Sequence, residues 1–267
     1  MNERTLVFGH RPGGSSRALI TAAGDRGLAV VELTGAVVPP ELRGSGAHLY
    51  SGLRHADRLA AELGVLLLEA PAGWLPALPA ELVGRDIAMT TLGEAYDIRT
   101  PVFVKAPNTK DVPARVYADG SRLPGPDALD RGTPVLVSDP VRFAAEFRLY
   151  VLDGEVRTGS QYALWSREAL EPLEGHGRRG EVLGFAREML AVAGGTLPGA
   201  VVVDVGVIAE PDGGERWAVV EANGAWGSGC YAADPGRALE VVLRSSGPGT
   251  LMGERDRSFA RVKPLAY

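Results

Sequence analysis

Apolar and polar positions along the chain follow two periods, one of two residues that suits strands and one near 3.6 that suits helices. Thr5 to Phe8 and Leu28 to Leu33 read as strands, with a helix from Ser15 to Ala23, ended by Gly24, between them. Leu53, Ala56, Leu59, Ala60 and Leu63 mark an amphipathic helix stopped by Gly64, before a strand over Val65 to Leu68. Strand and helix in alternation predict a parallel sheet. The stretch from Ala70 to Leu82, with its prolines and Trp74, predicts a boundary. Val182, Phe185, Ala186, Met189 and Leu190 then recur on one helical face, closed by Gly194-Gly195. Asp234-Pro235 supplies an N-cap and first-turn proline to a last helix, where Ala238, Val241 and Val242 are apolar.

Two hairpins break the pattern by carrying charge where apolar residues belong. Val201 to Ile208 and Arg216 to Asn223 flank Asp212-Gly213, a pair suited to a two-residue type I′ turn. That turn sets Asp204 opposite Glu221 and Val202 opposite Asn223, so Asp204, Glu221 and Asn223 share one face. Facing carboxylates repel. A divalent cation relieves them, and carboxylate and amide oxygens suit Mg²⁺; Glu221→Gln should then raise the melting temperature without metal. The run Gly224-Ala225-Trp226-Gly227-Ser228-Gly229 suggests close approach of a ligand. A solvated polar face is the alternative. The second hairpin runs from Ala145 through Asp153-Gly154 to Tyr162, placing Glu146, Arg148 and Tyr150 on one face, Gln161 opposite Glu146 and Gly159 opposite Arg148. The Arg148 fork suits phosphate or carboxylate, and an exposed ion pair with Glu146 is its alternative. Upstream, Pro101 to Lys105 reads as a short buried strand ending in lysine, followed by a loop with Lys110. Both lysines can act as point charges toward polyphosphate, although loop lysines are commonly just solvated.

Composition narrows the choice. The 267 residues exceed the usual single core, and the net charge of -5 offers no basic field for nucleic acid. One cysteine, Cys230, excludes an intrachain disulfide framework and fits a reducing cytoplasm, where it reads as a small packed residue. No run reaches the roughly 18 apolar residues of a membrane span, and the N-terminus lacks a signal peptide pattern. His10, His48, His55 and His176 are too scattered for a zinc site. The loop His10 to Ser16 lacks the full dinucleotide fingerprint and reads as substrate-facing.

The order Phe103-Val104-Lys105, Val135-Leu136-Val137-Ser138-Asp139, Glu146-Phe147-Arg148 and the Asp204, Glu221-Ala222-Asn223 hairpin resembles the ATP-grasp superfamily, and within it the R-two-K clade, over approximately residues 85 to 245. The resemblance implies an α/β and α+β architecture: an N-terminal parallel α/β unit over residues 1–84, and two α+β subdomains over 85–140 and 141–267 that clamp ATP. It implies Mg²⁺ ligands at Asp204, Glu221 and Asn223, and a phosphate contact at Lys105. Arg148 would face the transferred phosphoryl group, with Glu146 beside it in the nucleotide site. Val135, Leu136 and Val137 would read adenine through their backbone, with Asp139 near the ribose. Arg85 would stand in for a lysine of many members, and Lys110 lies on a phosphate loop that lacks the usual glycines. The implied activity is ATP-dependent joining of a small carboxylate to an amine through an acyl phosphate. The alternatives are a kinase of the same fold and a nucleotide-binding module serving a partner protein.

Overall fold

The computed structural model describes residues 5–9 and 14–262; His10 to Gly13, most of the loop expected to face substrate, lie outside the described residues. Strand β1 (Thr5–Phe8), helix α1 (Gly14–Asp25), β2 (Ala29–Glu32), β3 (His48–Tyr50), α2 (Leu53–Leu63) and β4 (Leu66–Leu67) open the chain. The first three strands form a parallel sheet in the order β2-β1-β3. Helix α2 stops as expected, because Gly64 takes φ +72° and returns its N–H to the helix. Helix α1 instead runs through Gly24, and the left-handed residue is Gly27 at φ +71°. β4 also departs from expectation. It leaves the parallel sheet to pair antiparallel with β14 (Ser246–Gly247), far along the chain.

After α3 (Ala80–Val83), the strands β5 (Ile87–Thr91), β6 (Val102–Lys105), β7 (Arg115–Tyr117) and β8 (Pro134–Ser138) form an antiparallel sheet in the order β5-β8-β6-β7. Its helix α4 (Leu92–Ala95) begins in a capping box made by Thr91 and Glu94.

The larger sheet contains β9 (Phe143–Leu152), β10 (Glu155–Leu164), β11 (Arg167–Pro172), β12 (Ala200–Ala209) and β13 (Glu215–Asn223), in the order β11-β10-β9-β12-β13. Alternation divides its two faces. Phe147, Leu149, Val151, Val201, Val203 and Val205 pack under α5 (Arg179–Ala193) through Val182, Phe185, Ala186 and Met189. On the reverse face Tyr150, Ala200 and Val202 share a core with Leu6, Phe8, Leu19 and α6 (Pro235–Ser245), whose N-cap Asp234 accepts from Arg237 as anticipated. The N-terminal sheet thus covers only the rear of that face. Arg148, Asp204 and Glu221 lie further forward along the same strands. A short α7 (Glu254–Arg257) precedes the last described residues.

Both polar hairpins depart from simple arithmetic. Asp153 and Gly154 do take positive φ, at +48° and +83°, as a type I′ turn requires. Bulges in β10 then shift the register, so Ser160 faces Arg148 and Ala163 faces Glu146, correcting the expected Gly159 and Gln161. In the other hairpin the turn is wider than two residues, since Glu210 bonds across to Gly214 and Ala209 pairs with Glu215. A bulge at Val220 restores the step, so Asp204 does face Glu221 and Val202 does face Asn223.

Candidate active site

Three neighbouring strands present a row of charge. Arg148 on β9 pairs with Asp204 on β12, which pairs with Glu221 on β13. The Arg148 fork meets both Asp204 oxygens, Nε to Oδ1 at 2.8 Å and Nη2 to Oδ2 at 2.6 Å. Asp204 is 1% exposed, so burial pushes its carboxyl above the ordinary value and Arg148 offsets only part of that cost. Burial likewise opposes the Arg148 cation, yet Asp204 holds it well above its ordinary value. Glu221 takes its cation from the other sheet, as Lys105 Nζ at the end of β6 donates to Glu221 Oε2. Burial would raise the Glu221 carboxyl, but Lys105 overrides it and, with the Asn223 amide, holds it down to about 2. Two side-chain cations therefore oppose the repulsion expected between Asp204 and Glu221, although Glu221 still adds to the upward shift of Asp204.

Aromatic groups close one side. Tyr162 donates its hydroxyl to Glu146 at 2.8 Å and stacks on Tyr231 with centroids 5.2 Å apart. Arg148 lies 5.6 Å and 5.0 Å from their ring centroids. Burial, reinforced by Asp204 and Glu146, pushes the Tyr162 phenol far above its ordinary value, so it stays a donor. Burial also raises the Glu146 carboxyl, with Asp204 and Glu221 adding and the Tyr162 bond opposing. Tyr231 has φ +50°, an uncommon conformation for a bulky residue, and its N–H reaches Ser15 Oγ at 3.3 Å.

These groups line a cavity of about 580 Å³, walled by Lys105, Asn108, Lys110, Arg148, Tyr162, Asp204, Glu221, Asn223, Trp226 and Tyr231. Six residues singled out from sequence therefore meet in one space. Arg85, Val135, Leu136, Val137, Asp139 and Glu146 are not among its lining residues. Arg85 donates instead to the carbonyls of Val83, Val219 and Val220, holding the β13 bulge. Burial lowers its guanidinium, with Glu221 opposing. The backbone of Leu136 and Val137 is flanked by β5 and by β6, so it is committed to the sheet rather than open to adenine; the chain leaves that ladder only after Ser138. Exposed Asp139 gives its N–H to the Asp86 carbonyl.

Gly224, Trp226, Gly227 and Ser228 of the glycine run line the cavity, in keeping with the expected approach of a ligand, and Gly224 has a packing reason as well. A Cβ on Gly224 would collide with the Trp226 indole, whose Nε1 donates to the Leu68 carbonyl at 2.9 Å. Sequence reasoning passed over Asn108, Glu69 and Tyr231; only the tryptophan inside the run was a visible cue.

The donor set fits Mg²⁺ in chemistry: two carboxylates and an amide oxygen are hard ligands, and each carboxylate keeps lone pairs beyond its ion pair. Among the described residues no cluster of three or more His, Cys, Asp or Glu side chains is poised for a metal, so phosphate or water oxygens would complete the shell. No described helix is long and apolar enough to cross a membrane.

The family model for the ATP-grasp domain of the R-two-K clade, family 2, matches residues 82–241. Similar solved structures include the RimK domain protein ATP-grasp from Sphaerobacter thermophilus DSM 20745, at 17% identity and TM-score 0.51, covering 90% of this chain and 99% of that one. The D-alanine--D-alanine ligase from Bacillus anthracis is 11% identical with TM-score 0.48, covering 91% and 96%. The ATP-grasp ligase PsnB complexed with minimal precursor is 15% identical with TM-score 0.47, covering 92% and 99%. No curated protein matches the chain.

Proposed function

We propose, because the chain belongs to the second family of the R-two-K clade of ATP-grasp domains, that it is an ATP-dependent ligase joining a carboxylate to an amine, with ADP and phosphate as the other products. The observation that carries this reading is the row Arg148–Asp204–Glu221, met by Lys105 from the opposing sheet, inside one cavity. It concentrates cations and hard oxygen donors where a triphosphate can lie, and among the described residues lining the cavity there is no histidine or cysteine. Phosphoryl transfer needs that kind of site, since positioning and charge stabilisation do most of the work.

Asp204, Glu221 and Asn223 would hold Mg²⁺, which neutralises triphosphate charge when bound. Lys105, at a strand end, contacts phosphate as a point charge, and exposed Lys110 reaches the same cavity from its loop. Arg148 stabilises the charge shared by the γ-phosphate and an attacking carboxylate oxygen, while Tyr162 stays protonated beside it. A carboxylate oxygen bonds to phosphorus as ADP leaves. The amine nitrogen then bonds to the acyl carbon, phosphate departs with one oxygen of the acid, and the nitrogen loses a proton. The substrates are small acids and amines, with amino acids or peptides among the candidates, and the setting is cytoplasmic.

An acid labelled with ¹⁸O tests the order of bonds. Phosphate should gain one label per amide formed. Unlabelled phosphate would exclude the acyl phosphate, a stable phosphorylated product would favour a kinase, and ATP binding without turnover under pooled acids and amines would favour a binding module.

A further inference from the structure

Arg261 lies where separate parts of the chain converge. It donates to Asp57 on α2 at 2.8 Å and to Glu69 beyond β4 at 2.7 Å. It also reaches the Asn108 carbonyl at 3.2 Å, in the loop after β6. Its guanidinium stands 5.7 Å from the Trp226 ring centroid. Asn108 completes the circuit by donating its amide to Glu69 Oε1 at 3.1 Å and to the Ala70 carbonyl at 3.0 Å. The Arg261 side chain is 5% exposed. Its backbone is fixed as well: Arg261 donates its N–H to Leu67, Glu69 donates to Phe259, and Leu68 bridges Ala260.

The loop it grips forms a wall of the catalytic cavity, from Ala106 to Lys110, facing Glu221 and Asn223. This loop is tied to the segment beyond β4 through Asn108, which donates to Glu69 and to the Ala70 carbonyl. We propose that Arg261 is a positioning residue that holds the 106–110 loop against the cavity and so sets affinity for the phosphate part of the nucleotide; this rests on the function proposed above. The fork suits the task because it serves Asp57, Glu69 and a carbonyl at once, which a lysine ammonium cannot match in geometry. Glu69 is the hub of the clasp, since one oxygen takes Arg261 and the other takes Asn108.

The test compares Arg261→Ala and Arg261→Lys with Arg255→Ala, which removes caps on the Gly194 and Leu197 carbonyls and touches no cavity residue named here. Titration with Mg·ATP and with adenosine, well below the melting temperature, is read beside the rate of tryptic cleavage after Lys110. Loss of hydrogen bonds to a charged group should weaken ATP about tenfold in Arg261→Ala while adenosine changes by less than about twofold. Cleavage should accelerate, Arg261→Lys should recover part of both effects, and Arg255→Ala should lower the melting temperature with neither effect. If Arg261→Ala does not fold, Arg261→Lys carries the comparison, with a smaller shift in the same direction. Unchanged ATP affinity, or equal losses for ATP and adenosine, overturns the proposal. If the wild-type chain binds no ATP, the proposed function falls, and the cleavage rate alone then decides the clasp: acceleration supports it and an unchanged rate overturns it.

Discussion

Glu221 shows how one side chain can answer to two different forces. Its folded pKa, about 2, lies below the ordinary carboxylate value, so its ionic contribution is complete above that ordinary value and is lost as pH falls through the folded one. Glu221→Gln should therefore destabilise the metal-free protein by about 2 kcal/mol at neutral pH, with the difference vanishing in acid. A calorimetric melt at both pH values checks this, and a higher melting temperature for the variant at neutral pH would mean that repulsion from Asp204 dominates. Glu146 has the opposite sign. Its folded pKa is raised, so ionisation costs more in the folded state and stability is lost as pH rises past the ordinary carboxylate range. Glu146→Gln keeps an acceptor for Tyr162 and should stabilise the chain at pH about 8 more than near pH about 5, which paired melts would read. Most charged members of the site were legible because acids and bases interrupt apolar strands. Their partners were not, since pairing across sheets depends on distances that no local pattern encodes.

At the scale of elements, period and turn chemistry exposed the strands but hid the bulges. The Asp153-Gly154 turn was read correctly, yet bulges in β10 moved Ser160 opposite Arg148. In the β12–β13 hairpin, a wider turn and the bulge at Val220 compensate each other, so the pairing of Asp204 with Glu221 came out right although the turn geometry did not. Arg85 fixes that bulge by serving the carbonyls on both sides of it. Arg85→Ala should leave those acceptors short of a donor and cost about 1–3 kcal/mol. Proton exchange at the β13 amides should quicken more than exchange at β9. Equal exchange in both strands would show that the bulge holds without the arginine.

Over the whole molecule, alternating strand and helix followed by antiparallel hairpins announced the mixed architecture, and the covering of only part of the large sheet explains where the polar row can stand. The shared core of Leu6, Phe8, Tyr150 and Val202 could not be read from sequence, because apolar periodicity says which face is buried and not which partner buries it. The return of the chain to β4 was equally hidden: a pair of two-residue strands has too few positions to show a period.

That return has a consequence for the order of folding. His48 meets Ser246 across 198 residues of sequence, and Arg261 meets Glu69 across 192. The N-terminal unit comes first along the chain but cannot be the first part finished. Loop closure on this scale is slow compared with forming local hairpins, so β3 and β4 wait as unfinished edges while the large sheet assembles. In pulse-labelling during refolding, the amides of Leu68 and Glu69 should gain protection together with that of Arg261, later than those of β9 and β12. Early protection of Leu68 and Glu69 alone would show the N-terminal unit folding independently. During synthesis, those edges depend on residues that emerge nearly two hundred positions later, which makes the interval on the ribosome the time when this chain is most open to mispairing.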